Sequence, residues 1–356
     1  METICFFNTA KAWGGGEKWH FEVSRHLHQN GFDVFVVAHE KSALLEKLIG
    51  AQIPCKGIAI SNLSFINPFS VRQVYQSLAS RKIKTIVMNL SRDVKIAGRM
   101  AKKAGIPRII YRRGSAIPIK NTWFNRYLFK NIITEILANS QATKKTILAN
   151  NANLFDENNI NVIHNGIDTG KTVPQAKKNN ILTILTLGRL EYQKNHKFLL
   201  HLAVALKKRG LQFLIRIGGD GRLKEQLTKM AITLGVGDYI RFDGFIESPL
   251  TYINQADIFV LPSRWEGFGY VLAEAALCKK PIVAFDVSSN PELISHGTSG
   301  YLLPKDDVNA FADAIIKLDQ QPELREAFGR NGHQFVTEHL DQNQQLQKIQ
   351  DYLVHA

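Results

Sequence analysis

The chain has 356 residues, 45% hydrophobic and 21% charged, a composition that can supply two apolar cores and excludes a disordered or fibrous chain. Lys and Arg outnumber Asp and Glu by 45 to 31, and the excess is local: residues 1–165 hold 23 cations and 10 acids, whereas residues 166–356 are nearly neutral. The cysteines Cys5, Cys55 and Cys278 are widely spaced, which excludes a disulfide framework or a zinc ribbon and fits a reducing compartment.

The first predicted element is a strand over residues 3–7. Residues 1–8 lack the basic region and long apolar run of a signal peptide, and no stretch reaches the roughly 18 apolar residues that span a bilayer. A cytoplasmic chain, peripheral at the inner face of the cell membrane, is the expectation. After the strand comes Trp13-Gly14-Gly15-Gly16-Glu17-Lys18-Trp19, opening a helix over 17–29. Glycines admit close backbone approach and a helix N-terminus presents free N–H groups. Gly15 and Gly16 are therefore read as a phosphate- or sugar-approach loop, with a plain glycine turn as the alternative. Trp19 stands where a dinucleotide fingerprint needs its last glycine, which argues against NAD.

Further strands are predicted at 33–38, 85–88, 108–111, 135–137 and 161–163, and helices at 71–81, 94–104, 123–130 and 142–149. This alternation indicates βαβ units and a parallel sheet. Residues 81–145 carry 16 cations against only Asp93 and Glu135. Such a face is either solvated for solubility or turned toward an anionic membrane, a phosphorylated acceptor or nucleic acid. No nucleic-acid motif accompanies it, so Lys102, Lys103 and Arg112 are assigned to acceptor or membrane contact. Residues 119–133 mix Trp123, Phe124, Tyr127 and Phe129 with Lys120, Arg126 and Lys130. They read equally as a helix at a membrane interface or a core-packing helix with a charged outer face.

The expected organisation is an N-terminal domain over 1–165, a linker over 166–180 containing Gly170 and Pro174, a second domain over 181–335, and a C-terminal helix at 336–356 able to pack back across the domains. Strands are predicted at 181–187, 213–217, 239–242, 258–261, 281–285 and 301–303, with helices at 197–208, 223–234, 270–278 and 309–318. The tail over 323–352 looks helical throughout. Gly188-Arg189-Leu190-Glu191-Tyr192-Gln193-Lys194-Asn195 follows the first of these strands. Two cations there, beside a helix N-terminus, suit a diphosphate: Arg189 as a fork and Lys194 as a point charge. Next comes Ser263-Arg264-Trp265-Glu266-Gly267-Phe268-Gly269-Tyr270-Val271-Leu272-Ala273-Glu274-Ala275, with Glu266 on a glycine-rich turn and Glu274 two turns into an apolar helix. A carboxylate in that setting needs hydrogen-bond donors, and ribose hydroxyls are natural ones. Glu266 and the N–H groups of Gly267, Phe268 and Gly269 suit the hydroxyls of a sugar.

The Glu266 and Glu274 motif resembles the E-x7-E signature of retaining glycosyltransferases with the GT-B fold, in particular glycosyltransferase family 4. The resemblance covers almost the whole chain. It includes the glycine loop at 14–16, the junction Val162-Ile163-His164-Asn165-Gly166-Ile167-Asp168, the pair Arg189 and Lys194, the loop Gly218-Gly219-Asp220-Gly221, and the turn Gly244-Phe245-Ile246. It implies two Rossmann-like doubly wound domains facing across a cleft. It further implies that Glu274 holds the ribose, Glu266 the donor sugar, the backbone of 267–269 the sugar and distal phosphate, and the turn at Phe245 the base. Gly219 is carried over as a donor-binding position. Many members have a catalytic histidine where this chain reads Tyr111-Arg112-Arg113-Gly114, so Arg113 is its nearest equivalent. An always-charged guanidinium cannot be a general base, but it can hold a leaving phosphate or an acceptor anion. Asp93 either contacts sugar or acceptor, or caps a helix.

The resemblance implies front-face attack with the departing diphosphate helping to take the acceptor proton. The chain has neither a D-x-D nor an H-E-x-x-H sequence, so no metal or other cofactor is expected. The expected activity is transfer from a nucleotide-diphospho-sugar to an anionic or membrane-borne glycan, of lipopolysaccharide-core or glycolipid type. A nucleotide-sugar epimerase or hydrolase on the same fold is the alternative, and a nucleic-acid-binding protein a more distant one.

Overall fold

The computed structural model describes residues 2–172 and 180–354, so most of the expected linker, Pro174 included, lies outside the described residues. The chain forms two compact units, Met1–Asn165 with Asn343–Ala356, and Gly166–Gln342. The first holds seven parallel strands: β1 (Thr3–Asn8), β2 (Val34–His39), β3 (Cys55–Ile58), β4 (Ile83–Met88), β5 (Arg108–Arg113), β6 (Glu135–Ala138) and β7 (Ile160–Val162). Their order is β3-β2-β1-β4-β5-β6-β7. The second holds β8 (Leu182–Leu187), β9 (Phe213–Gly218), β10 (Ile240–Gly244), β11 (Ile258–Leu261), β12 (Ile282–Phe285) and β13 (Gly300–Leu303), ordered β10-β9-β8-β11-β12-β13. Both are doubly wound, Rossmann-like sheets.

A parallel sheet covered on both faces needs strands that are apolar on both sides, and β1, TICFFN, is buried at every position. Cys5 and Phe7 join one core layer while Ile4 and Phe6 join the other. In the second unit Ile258 and Val260 face one layer, Phe259 and Leu261 the opposite one. Each such side chain contributes about 1.5–3 kcal/mol on burial.

The predicted single helix at the C-terminus is two, Pro322–His339 and Gln342–Val354. The chain breaks at Leu340 and Asp341, where Ile167 donates its N–H to the Leu340 carbonyl and accepts from Gln342. The last helix returns to the first unit, with Leu346, Ile349 and Leu353 in the same layer as Trp19 and Leu27. Among the described residues no helix is long and apolar enough to cross a membrane.

This strand order decides where chemistry can be placed. The order in which successive strands are added reverses between β1 and β4 in one sheet and between β8 and β11 in the other, so loops diverge there and leave room at the carboxyl ends of the strands. The glycine loop and Asp93 follow β1 and β4. The loops bearing Lys194 and Glu266 follow β8 and β11.

Candidate functional site

In the second unit, Lys194 Nζ lies 2.7 Å from Glu266 Oε1, with both side chains largely buried. The ion pair ties the loop after β8 to the loop after β11. Around it, Gln193 donates to the Trp265 carbonyl at 2.9 Å, and Arg264 donates to Asn195 Oδ1 at 3.0 Å from over the Tyr192 ring. Ser289 donates to the Glu266 carbonyl at 3.2 Å. Asn195 adopts a left-handed conformation, φ 52°, at the head of the helix His196–Lys208. Its side chain is committed to Arg264 and Asp306 and does not cap that helix. The first-turn N–H groups consequently lack a side-chain acceptor, the usual condition for anion binding at a helix N-terminus. Arg189 stands exposed nearby, and among the described residues its guanidinium has no hydrogen-bond or ionic partner.

Two glycines hold this loop from behind. A Cβ at Gly219, φ 124°, would fall 2.1 Å from the Gly188 carbonyl oxygen, and one at Gly221 would fall 2.7 Å from that of Leu190. Gly267, Phe268 and Gly269 are buried, with Gly269 at φ 82° leading into the helix Tyr270–Leu277. Glu274 is the fifth residue of that helix, little more than one turn in and not two, and is half-buried. Phe245 follows β10 with 78% of its surface exposed, an open aromatic face beside Gly244, whose φ is 72°. Burial, with the Lys194 charge adding to it, lowers the pKa of His196 to about 3, so the imidazole stays neutral beneath the loop.

In the first unit the helix opening at Gly15 is Gly15–Gln29, and Gly16 meets a specific obstacle: a Cβ there would lie 2.4 Å from Asn89 Nδ2. The glycine loop thus closes onto the loop after β4. Asp93 is fully buried and accepts from Thr9 Oγ1, Thr9 N and Leu90 N, the last two at 3.3 Å. Arg92 closes the group by donating to Thr9 Oγ1 at 3.1 Å. Of the two roles expected for Asp93, the geometry is that of the cap; a contact to sugar or acceptor is corrected, since no face of the carboxylate is open.

Arg112 is a second correction. Assigned to a basic surface, it is 3% exposed and donates to Asn89 Oδ1 at 3.1 Å and Asn165 Oδ1 at 2.9 Å. Its guanidinium lies 4.9 Å from the centre of the Trp19 ring. Both faces of β5 are covered, so a cation in the middle of the strand is buried whichever way it points, and here it is bonded by amides. Lys102 and Lys103 are exposed as expected. Arg113 donates to the Tyr111 hydroxyl and the Ile117 carbonyl, while its Nε is buried without a hydrogen-bond partner. Thr9, Asn89, Asn195 and Arg264 were not anticipated. Only Asn195 carried a signal, as an asparagine in the turn before a helix, where left-handed backbone is tolerated. Among the described residues no group of three or more His, Cys, Asp or Glu could hold a metal ion.

Two adjoining family models together match residues 13–335, Glycosyltransferase Family 4 over residues 13–171 and Glycosyl transferases group 1 over residues 171–335. Alpha-D-kanosaminyltransferase of Streptomyces kanamyceticus is 33% identical over 42% of this chain and 39% of its own. N-acetylgalactosamine-N,N'-diacetylbacillosaminyl-diphospho-undecaprenol 4-alpha-N-acetylgalactosaminyltransferase of Campylobacter jejuni is 26% identical over 62% of this chain and 60% of its own. The matches thus span less than two thirds of these relatives' lengths. Among solved structures, Anabaena Alr3699/HepE in complex with UDP-glucose superposes over all of both chains with a TM-score of 0.86 at 19% identity.

Proposed function

The chain belongs to the GT-B glycosyltransferases of the family 4 and group 1 type, and from that membership we propose that it transfers a sugar from a nucleotide-diphospho-sugar, with retention, to a glycan or lipid-linked acceptor. The observation that carries the reading is the Lys194 and Glu266 ion pair at the second sheet's reversal point, with Arg189 exposed beside it. In this reading Arg189, Lys194 and the first turn of the helix His196–Lys208 receive the diphosphate, which takes up negative charge as the glycosidic bond breaks. Glu266 and the backbone of Gly267, Phe268 and Gly269 hold the sugar, Glu274 the ribose, and Phe245 with its backbone the base. Arg113 is assigned to an acceptor or leaving-group anion, and these cations serve in place of a metal. The diphospho-undecaprenol in the Campylobacter relative's name supports a lipid-linked acceptor, and the UDP-glucose in the Anabaena complex makes UDP the first nucleotide to test.

The test is a thermal-shift panel with UDP, GDP, ADP, CMP and NAD. A ligand at 100 times its Kd stabilises by about 2.7 kcal/mol and moves the midpoint by several degrees. The expected result is a shift with one nucleoside diphosphate that Glu274→Ala removes. No shift with any diphosphate would overturn the donor site, and an NMR assignment of an inverted anomeric product would overturn retention alone.

A further inference from the structure

Between residues 47 and 134 the sequence has 17 Lys and Arg and one acid, Asp93, which is fully buried. The stretch itself therefore adds no carboxylate to the surface, although Lys84 and Arg108 are paired with Glu2 and Glu135 from outside it. Cations crowded without counter-charges repel one another, a cost that an anionic partner reverses.

The same stretch exposes large apolar side chains. Phe69 is 86% exposed, Trp123 72%, and Leu63 and Ile66 66% each, with Tyr127 at 42%. They are not scattered. Leu63 and Ile66 flank Phe65, whose ring lies 5.7 Å from that of Phe124, and Phe124 in turn contacts the rings of Trp123 and Tyr127 at 5.4 and 6.4 Å. Phe65 and Phe124 pack down onto the core, so two separate segments, 63–69 and the helix Trp123–Asn131, are clasped side by side with their outermost apolar groups left open. Helix positions Leu128 and Phe129 face the core, as the core-packing reading of this helix expects, while Trp123 and Tyr127 lie open to solvent.

Cations rim the patch. Lys95 sits 5.5 Å from the centre of the Phe65 ring and Arg99 donates to the Phe65 carbonyl at 3.5 Å. Lys120, Arg126 and Lys130 are exposed beside Trp123, and none of the five is in an ion pair among the described residues. Aromatic and aliphatic groups projecting from a ring of Lys and Arg match the depth profile of a bilayer surface, apolar inside and anionic at the headgroups. A protein partner would need acidic residues matched around a flat apolar centre; a lipid surface needs only its own chemistry.

We propose that this patch docks the first unit onto an anionic lipid bilayer, Phe69 and Trp123 entering the interfacial layer while Lys95, Arg99, Lys120, Arg126 and Lys130 meet headgroups. The docking deepens the lipid-linked acceptor reading and rests on it for its purpose, but not for its measurement. Each cation near an anionic surface is worth about fivefold in partitioning, and the effect fades with salt.

The test is co-sedimentation of the full chain with vesicles of phosphatidylglycerol and phosphatidylcholine, or of phosphatidylcholine alone, with tryptophan emission recorded. Partitioning to the anionic vesicles with a blue shift is expected, and Trp123→Phe should remove most of the shift while keeping the binding. Phe69→Ser with Trp123→Ser should lower partitioning at least tenfold, and Lys120→Glu with Lys130→Glu should do so at low salt. All four positions are open to solvent, so the folded state is checked by an unchanged melting midpoint. Equal partitioning of wild type and patch variant, no binding at low salt, or a patch-dependent dimer in light scattering would each overturn the proposal. The nucleotide shift is measured in the same samples. A chain that responds to nucleotide but not to vesicles defeats only the docking; one that does the reverse defeats only the transferase reading.

Discussion

Asp93 shows how one buried carboxyl can be separated from the chemistry around it. Burial raises its pKa to about 7, against the hydrogen bonds from Thr9 and Leu90 and the charge of Arg92. The folded chain then keeps the proton over a range in which the unfolded chain, with a carboxyl pKa near 3.8, has released it. The folded state therefore binds more protons, and this group's contribution makes stability fall as pH rises from about 4 to about 7. Asp93→Asn supplies a neutral group of the same shape, able to accept from Leu90 N and donate to Thr9. It should fold, and relative to wild type its melting midpoint should improve steadily from pH 4 to pH 7. Turnover should change less than twofold, because the group reaches no solvent. A hundredfold loss of kcat with an unaltered stability profile would put Asp93 at the reacting atoms after all.

At the scale of elements, the loop after β8 depends on a residue with no side chain. Gly219 has a backbone that side chains rarely adopt, and a Cβ there would fall against the Gly188 carbonyl. Gly219→Ala should cost more than the about 1–2 kcal/mol of the left-handed conformation alone, because the loop carrying Arg189 must also be displaced. Gly235 is the control: its φ is 66° but nothing lies within 4 Å of an added Cβ. Urea unfolding should show Gly235→Ala losing only the conformational part, and only Gly219→Ala should weaken the nucleotide shift. Equal losses would mean that the loop yields freely. The same elements show what sequence can reveal. Buried parallel strands were readable as unbroken apolar runs, and the spacing of Glu266 and Glu274 was readable as a motif. Strand β3 was not, since Lys56 and Gly57 leave it only Ile58 as a buried residue. The helices Ala43–Gly50 and Pro249–Ile253 are too short to establish a period. The stretch predicted as one helix at 94–104 contains a π-helical turn, Val94–Gly98, which no residue preference announces. The ion pair of Lys194 with Glu266 was hidden for another reason: the residues are 72 apart in sequence and meet only because β8 and β11 are neighbours.

For the whole molecule, the decisive feature is that the chain's last helix belongs to its first unit. Arg108 reaches it from β5, donating to the carbonyls of Leu353 and Tyr352 at 3.0 and 2.8 Å while paired with Glu135. The Tyr352 hydroxyl donates to Glu135 at 2.7 Å, and Asn30 donates to Gln350 at 2.9 Å. Below these polar contacts Leu346, Ile349 and Leu353 cover one face of the first sheet. Removing residues 343–356 would take away three buried apolar side chains and uncover the face beneath them, a loss of roughly 5–9 kcal/mol at about 1.5–3 kcal/mol for each, and would leave Glu135 and Arg108 without their outer partners. Because the second unit has its own sheet and cores, the loss should be confined to the first. Scanning calorimetry of the truncated chain should show the first unit's transition moved far down or absent, and the second unit's transition in place with its response to nucleotide intact. Were both transitions to fall together, the helix would be stabilising the second unit as well, and the assignment of 343–356 to the first unit's core would be wrong.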